Sequence, residues 1–484
     1  MPIWLSAIPL LTSRWQNKNM RRELLIPALL VAPFTALADD LLPESQFVPP
    51  PYKVLRFDEN YAGLSNPTNR TDWVDLIKYI PLGTNDSAWY LTLGGELRER
   101  FEGNYNPNFG IGGQKSDSYW LQRVTLLGDV HLGDRFRIYA EGISGVMAGG
   151  NPPAPAVQQD PFDLQYAFAD FVPYLTDDES LTLRGGRFGM SFGSGRLVAT
   201  RAAPNIPFRF DGGEMIYTRS LWEATAFLAR PVDDNGGISG SDPGTMFWGL
   251  YVTHWFDAPH DLGIDLYYLG IANEHASYAS GTGNENRHSF GARFFGSSNH
   301  WDWNGEGVVQ VGTFGDESIL AGTAAMDSGY TWDAMWQPRL GLKIGVVSGD
   351  HNARDGTLGT FDALYFKSGY FNDAGLIRPQ NLVGIHPNFA LKLSPSVSVD
   401  GGANWMWRYA RNDAVYAVPG YVEIPALPNA SSYIATAVDL NLQWQIQKHL
   451  AFGASYVHFF AGSYIHVSGG GDVNYFSTTL TFLF

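Results

Sequence analysis

The sequence contains no cysteine, carries little positive charge and, apart from one N-terminal stretch, has no long apolar run. Without cysteine the chain needs no oxidative folding, which is compatible with export from a bacterial cell. The formal net charge of -16 argues against nucleic acid as a partner. After the N-terminal stretch, no run of about 18 apolar residues is available for a membrane-spanning helix. Any membrane crossing must therefore use strands.

The N-terminal stretch has the three parts of a secretory signal peptide. A basic segment that starts at Met20 is followed by the apolar segment 24–37 and by the small-residue cleavage sequence Ala36-Leu37-Ala38. We therefore interpret residues 1–38 as an upstream extension plus a signal peptide, with Asp39 as the first mature residue. The removed region holds four basic residues and one acidic residue, so the mature chain has a net charge of -19.

Apolar and polar residues alternate over segments of about ten residues, the length that a tilted transmembrane strand needs. In the first segment, Leu93 and Leu97 share one face, whereas Arg98 and Arg100 share the other. The last segment, 475–484, places apolar side chains on one face and ends the chain on an aromatic residue, so it should pair with the first strand. The pattern predicts an all-β, antiparallel up-and-down barrel of about 18 strands, residues 89–484, in the bacterial outer membrane.

An even number of strands leaves both chain ends on the periplasmic side, where the connections are short. Residues 39–88 are proline-rich and alternate poorly, so they are expected to form a periplasmic lead-in with a short helix from Trp73 to Tyr79, capped by Thr71. Short turns are expected at 133–134, 219–220, 297–299 and 394–396. Long outer loops are expected near 104–117, 147–162, 190–211, 231–244, 272–286, 349–375 and 411–432.

Several motifs resemble the outer-membrane alginate export family. The first strand contains Leu93-Gly-Gly-Glu-Leu-Arg-Glu-Arg-Phe-Glu102, and Gly193-Ser-Gly-Arg196, Phe210-Asp-Gly212, Glu306 with Gln310-Val-Gly312, and Ser348-Gly-Asp350 follow in the family's order. The resemblance covers most of the mature chain and implies a barrel through which an anionic polysaccharide, or a smaller relative, crosses the outer membrane passively. The connection at Gln447-Lys448 is too short for a periplasmic plug, which favours a small-solute channel over a gated polymer exporter.

Strand parity assigns eleven cations and eight anions to the barrel interior, which is therefore mildly basic although the chain is acidic. Four further arginines, Arg187, Arg196, Arg201 and Arg209, lie in or just before the third outer loop, which is expected to fold them toward the pore. Arginine suits carboxylate-bearing solutes because its planar fork pairs with them bidentately and stays charged. The candidate pore-lining and solute-binding residues are Arg98, Arg100, Arg123, Arg137, Arg187, Arg196, Arg201, Arg209, Arg293, Glu306, Gln310, Arg339, Lys343 and Arg408.

Other interpretations of these charges stay open. Interior Arg and Glu residues on neighbouring strands also form ladders that satisfy one another, and this is the preferred interpretation for the balanced segment 96–102. For the group from Arg196 to Arg209, pore function and loop anchoring are equal alternatives. Among aromatic residues, only those on the polar face, such as Tyr139, are candidates for a sugar-stacking track.

Enzyme and metal sites are poorly supported by the sequence. The eleven histidines are scattered along the chain, and His458 with Ser455 and Asp439 is a grouping that chance supplies easily. Oxygen ligands between Asp350 and Gly356 lack the downstream glutamate of an EF-hand loop, so turn chemistry explains them better than calcium. We expect neither catalysis nor a cofactor.

The function expected from the sequence is a passive outer-membrane channel for carboxylated small or oligomeric solutes, such as uronates or organic acids. The alternative is a secretion channel for an anionic exopolysaccharide such as alginate, working with periplasmic polysaccharide machinery. The expected partners are outer-membrane lipid and an anionic sugar or organic-acid solute, and no nucleic acid.

Overall fold

The computed structural model describes residues 49–83, 88–113, 116–151, 153–234, 237–256, 262–367, 369–418 and 422–484. In this part of the chain, eighteen antiparallel strands form one closed barrel, which confirms the predicted fold class. The barrel strands are β1 (Trp89–Tyr105), β2 (Asp117–Leu132), β3 (Phe136–Gly149), β4 (Asp160–Leu175), β5 (Glu179–Phe188), β6 (Phe210–Arg219), β7 (Trp222–Pro231), β8 (Thr245–Trp255), β9 (Gly263–Tyr278), β10 (Gly281–Ser298), β11 (Trp301–Phe314), β12 (Glu317–Thr331), β13 (Arg339–Val347), β14 (Leu382–Ser394), β15 (Val397–Arg408), β16 (Tyr433–Gln447), β17 (Leu450–Ala461) and β18 (Val473–Leu483).

The barrel is closed by pairing between the first and last strands, as the sequence predicts. β1 and β18 are in antiparallel register from Glu96 opposite Leu483 to Tyr105 opposite Asn474. Beyond the last paired residue, the backbone groups of Gly95 and Phe484 exchange two hydrogen bonds of 2.9 and 3.1 Å. These contacts leave no free sheet edge at the junction, as a membrane-spanning sheet requires.

The distribution of side chains across the wall is the reverse of that in a soluble protein. On β1, Leu97 is 40% exposed on the outer face, whereas the adjacent Arg98 is only 1% exposed inside. Leu126 on β2 and Phe290 on β10 are also exposed on the outside. Lipid covers these apolar side chains in the membrane, so their exposure costs nothing there, and the charged side chains face the interior.

The connections follow the expected asymmetry with one correction. Two- and three-residue turns join strands at the end that carries the chain termini, including 133–135, 220–221, 299–300 and 395–396. The prediction of a long outer loop at 272–286 is wrong, because β9 and β10 continue through these residues to a tight turn after Tyr278. The hairpin extends above the lipid here, so its residues are polar and no longer alternate with apolar ones. The backbone hydrogen bonds between the two strands nevertheless continue.

The lead-in contains several short elements. The helix that was predicted from Trp73 to Tyr79 spans only Asp75–Lys78. Its start is not capped by the Thr71 side chain as predicted. The Asp72 side chain accepts hydrogen bonds from the backbone N–H groups of Val74 and Asp75, whereas Thr71 donates to the Asp75 carboxylate. The other short elements of the described residues are the 3-10 helices Arg56–Asp58, Ala62–Ser65, Pro67–Asn69 and Pro107–Gly113, the helix Ser463–Val467, and the strands Ile80–Pro81, Thr357–Leu358, Val415–Tyr416 and Val422–Ile424.

The predicted signal peptide and the start of the predicted lead-in lie outside the described residues. Among the residues that are described, no helix has the length and apolar character needed to cross a membrane.

Candidate solute pathway

Two long outer loops fold into the barrel and meet there. We name residues 189–209 the first inward loop and residues 348–381 the second inward loop. Val198 and Tyr365 form a parallel bridge between them, and two backbone hydrogen bonds of 2.8 Å flank it, from Ala199 to Tyr365 and from Tyr365 to Leu197. A third hydrogen bond of 2.9 Å joins the backbone N–H of Lys367 to the carbonyl of Gly195. The two loops together narrow the interior.

Arginines of β1 and β2 hold the first inward loop against the wall. Arg98 donates to the carbonyl oxygens of Ala202 and Pro204 at 2.8 and 3.1 Å. Arg123 donates to the same two carbonyls at 3.1 and 3.2 Å and forms a salt bridge of 2.8 Å with Glu96. These two candidate residues therefore serve the loop backbone in this structure, and Arg98 is fully enclosed by it.

Three further candidate arginines belong to a set of ion pairs with equal numbers of cations and anions. Arg187 pairs with Asp211 at 2.7 Å, Arg201 with Asp234 at 3.0 Å, and Arg209 with Asp163. Arg209 also lies 3.5 Å from Asp234, which connects two of the pairs. The balanced network, as we name it, consists of Arg187, Arg201, Arg209, Asp163, Asp211 and Asp234.

The second inward loop is attached by polar side chains to two parts of the wall, β11 and the junction of β1 with β18. The Gln310 side chain accepts from the backbone N–H of Asp362 at 2.9 Å and donates to the carbonyl of the same residue at 2.8 Å. Arg100 forms a salt bridge of 2.9 Å with Asp373, to which Ser477 also donates. Burial acts to raise the pKa of Asp373, but Arg100 and Ser477 outweigh it and the pKa is lowered.

A group of three cations lies where the two inward loops meet β13. Both Arg196 and Lys343 face the ring of Tyr370, with Arg196 Cζ 5.3 Å and Lys343 Nζ 4.3 Å from its centroid. Lys343 also donates to the carbonyl of Tyr370 at 2.8 Å. Burial and the repulsion of Arg196 lower the pKa of Lys367 to about 8. The basic cluster, as we name it, consists of Arg196, Lys343 and Lys367.

Three carboxylates lie beside the basic cluster, those of Glu306, Asp327 and Asp439. Glu306 forms a salt bridge of 2.8 Å with Arg196 and accepts hydrogen bonds from Ser194 at 2.8 Å and Tyr267 at 2.6 Å. Asp327 influences both lysines of the cluster and lies 3.6 Å from Arg339. Asp439 also acts on Lys343, so the three cations of the cluster lie among three carboxylates.

The remaining candidate residues each have partners in the wall or the loops. Arg293 pairs with Asp265 at 2.5 Å, and Arg339 pairs with Asp302 at the same distance. The guanidinium of Arg408 donates to four loop carbonyls, those of Arg411, Leu427, Ala430 and Ser431, and lies 3.8 Å from the ring of Tyr464. Arg137 pairs with Asp129 at 2.7 Å.

The lead-in enters the periplasmic mouth of the barrel. Phe57 is 3% exposed and contacts the rings of Tyr139, Tyr166 and Phe168 at centroid distances of 5.6, 5.6 and 5.0 Å. Arg137 donates to the carbonyl of Phe57 at 2.7 Å. Tyr139, a candidate for sugar stacking, is therefore covered by the lead-in in this structure.

Sequence reasoning did not identify Lys367, Tyr370 or Phe57 as parts of the interior. All three lie in segments that were assigned to an outer loop or to the lead-in, where strand parity gives no orientation. The signal that was available is compositional, because Tyr365-Phe-Lys367 and Tyr370-Phe371 are unusually aromatic for a segment exposed to water.

The structure does not assemble the two alternative sites. Ser455 faces inward and donates to Asn441 at 2.7 Å, whereas His458 lies on the outer face beside Asn474 at 2.9 Å. Asp350 accepts from the backbone N–H of Asn352 at 2.9 Å, in the manner of an ordinary turn. Across the described residues, no three His, Cys, Asp or Glu side chains are arranged to hold a metal ion.

Comparison with known proteins agrees with this architecture. The family model described as "Alginate export" matches residues 89–478. Among curated proteins, none matches the chain.

Several solved outer-membrane proteins share the fold at low sequence identity. They include Pseudomonas aeruginosa OpdQ (TM-score 0.55, 11% identity, 81% of this chain and 98% of that chain) and Acinetobacter baumannii OccAB4 (TM-score 0.54, 12% identity, 81% and 97%). P. aeruginosa OccK2 (OpdF), solved in complex with glucuronate, has a TM-score of 0.54 and 9% identity, with 81% and 97% coverage. The match to the family and these barrels identify an outer-membrane channel.

Proposed function

The chain belongs to the alginate export family, and from that premise we propose that it is a passive channel for carboxylated small or oligomeric solutes. Uronates and organic acids are the solute classes that fit. In this proposal the protein performs no chemistry and needs no cofactor, because its contribution is a shaped and charged path across the outer membrane.

The basic cluster is the observation that supports this proposal. Arg196, Lys343 and Lys367 lie on parts of three different elements, so their charges are gathered by the fold and not by local sequence. Positive charge that is concentrated at one place in a narrow, low-dielectric channel attracts entering anions more strongly than the same charge in water. The guanidinium of Arg196 adds a planar fork that suits a carboxylate.

The inward loops favour solutes of limited size. The first and second inward loops are joined by backbone hydrogen bonds inside the barrel, and Phe57 occupies the periplasmic mouth. A long polymer needs all of these to move, whereas a small solute needs only the space beside them. The glucuronate bound to OccK2, a barrel of similar fold, is consistent with a small acidic sugar as the solute.

Export of an anionic polysaccharide such as alginate is the second candidate function, and the description of the matching family favours it. It differs from the first proposal in the size of the solute and in its need for periplasmic polysaccharide machinery. Both candidates require an anion-selective interior, so the two are separated by solute length and not by charge.

Single-channel recording of the mature protein in a planar bilayer tests the proposal. Under a salt gradient, we expect a reversal potential that reports anion selectivity, and we expect short uronate oligomers to reduce the current in a concentration-dependent manner. Cation selectivity without block by uronates would contradict both candidate functions. Block by long chains with no effect of mono- and disaccharide uronates would favour the exporter.

A matched pair of variants connects the selectivity to the basic cluster. Lys343→Gln removes one cation of the cluster, and Arg219→Gln removes one cation from the end of β6, where the side chain of Arg219 is 61% exposed and pairs with Glu179. We expect uronate block to weaken in the first variant and to be unchanged in the second. If uronates block both variants equally, the basic cluster is not the site at which they act.

A further inference from the structure

The lead-in extends the outer surface of the barrel at its periplasmic end. Residues 89–94 of β1 project beyond the end of β18, and part of their open edge is paired by the strand Ile80–Pro81. Ile80 lies opposite Leu91, and Leu82 donates its backbone N–H to the carbonyl of Trp89. Residues that oppose each other in an antiparallel pair point to the same side of the sheet, so Ile80 and Leu82 point outward.

A patch of apolar side chains in the lead-in is continuous with this outer surface. Trp73 is 62% exposed, Leu76 is 58% exposed and Leu82 is 45% exposed. The ring of Trp73 lies 6.3 Å from that of His449, which lies 6.4 Å from Phe482 on the outer face of β18. We name Trp73, Leu76 and Leu82 the lead-in apolar face.

The charges beside the lead-in apolar face are compensated. Asp72 pairs with Lys448 and, at 3.2 Å, with His449, and Asp75 lies 3.5 Å from Lys448. Burial alone would raise the pKa of Asp72, but its contacts with Lys448 and His449 lower it. The helix Asp75–Lys78 therefore presents apolar side chains without an unpaired carboxylate from Asp72 or Asp75 next to them.

We propose that the lead-in apolar face binds the inner leaflet of the outer membrane, with Trp73 at the level of the phospholipid head groups. The argument is continuity, because Ile80 and Leu82 extend the outer surface of β1, and Trp73 connects to the outer surface of β18 through the ring of His449. Indole and leucine side chains are the residues that anchor proteins at this depth. In this arrangement, lipid binds the lead-in from the outside of the barrel. Phe57 of the same lead-in occupies the periplasmic mouth.

The absence of cysteine makes this proposal directly testable with a single reporter. Leu76→Cys, labelled with an environment-sensitive fluorophore, is placed in vesicles of phosphatidylethanolamine and phosphatidylglycerol with or without brominated acyl chains. Ser65→Cys, also exposed in the lead-in but outside the apolar face, is the matched control. We expect a blue-shifted emission and loss of fluorescence on bromination at position 76, with neither effect at position 65.

Two outcomes would overturn the proposal. A water-like emission at position 76 that bromination does not change would show that the apolar face is not in lipid and is available to another partner. Equal blue shifts at positions 65 and 76 would show that the face has no special role in membrane contact. Circular dichroism and resistance to heat in detergent verify that both labelled barrels are folded, so a loss of signal cannot arise from misfolding.

Discussion

Two regions inside the barrel hold their cations in different ways. In the balanced network, Arg187, Arg201 and Arg209 each pair with an aspartate, and the charges cancel. In the basic cluster, Arg196 and Lys343 face one tyrosine ring, and Lys367 is close enough to both to repel them. An interior arginine is therefore not in itself a solute ligand, because its effect on a passing anion depends on how far its charge is already compensated.

Removing one carboxylate from the balanced network should have the largest effect. Asp163 is fully buried and pairs with Arg209, which is 1% exposed, so Asp163→Asn leaves a buried guanidinium poorly compensated. Breaking a buried ion pair at one partner costs about 3–5 kcal/mol, and we expect that loss in the free energy of unfolding. Urea titration in detergent measures it.

The control for this variant is Asp177→Asn, which makes the same chemical change in an exposed turn after β4. We expect the control to unfold like the unaltered protein. If Asp163→Asn is as stable as the control, the balanced network does not stabilise the first inward loop. The two regions would then not differ in their contribution to stability.

Neutralising both lysines of the basic cluster should affect selectivity more than stability. Lys343→Gln with Lys367→Gln removes two of the three cations of the cluster, and we expect a several-fold fall in the anion-to-cation permeability ratio because the field in the channel is weakened. Reversal potentials in a salt gradient measure the ratio, and urea titration reports the stability of the same protein. A double variant with unchanged selectivity but much lower stability would mean that the cluster acts like the balanced network.

A smaller effect is expected from pH, and it arises from one residue. Because the pKa of Lys367 is lowered to about 8, raising the pH through this value removes a positive charge from the interior. Anion selectivity should therefore be highest below the pKa and should fall between about pH 6.5 and about pH 9.5. Lys367→Gln should start from a lower selectivity and lack this step, whereas an identical pH profile in the variant would exclude Lys367 as its source.

The wall of the barrel could be predicted from the sequence, and most of the interior could not. Leu97 and Arg98 point to opposite sides because strand geometry alternates, a local rule that needs no knowledge of the rest of the chain. The inward course of the two loops depends instead on contacts such as Gln310 with Asp362, which are far apart in sequence. The same limitation hid Lys367, and it made Tyr139 look accessible although Phe57 covers it.

The hairpin of β9 and β10 marks another limit of the alternation rule. Above the lipid, the outer face of the strands no longer needs apolar residues, so residues 272–286 have the composition of a loop while they keep the hydrogen bonds of a sheet. Parity nevertheless counted the strands correctly, because a hairpin that extends into water changes the length of two strands and not their number.

The contacts of Arg56 impose an order on folding. Its guanidinium donates to the carbonyl of Gly95 and to the carbonyl of Phe484. Phe484 is 428 positions after Arg56 in the chain. Bringing such distant segments together carries a large loop-closure entropy, so this contact forms late. The two acceptor carbonyls lie next to each other only after β1 and β18 have paired. Arg56 can therefore bind both of them only when the barrel is closed.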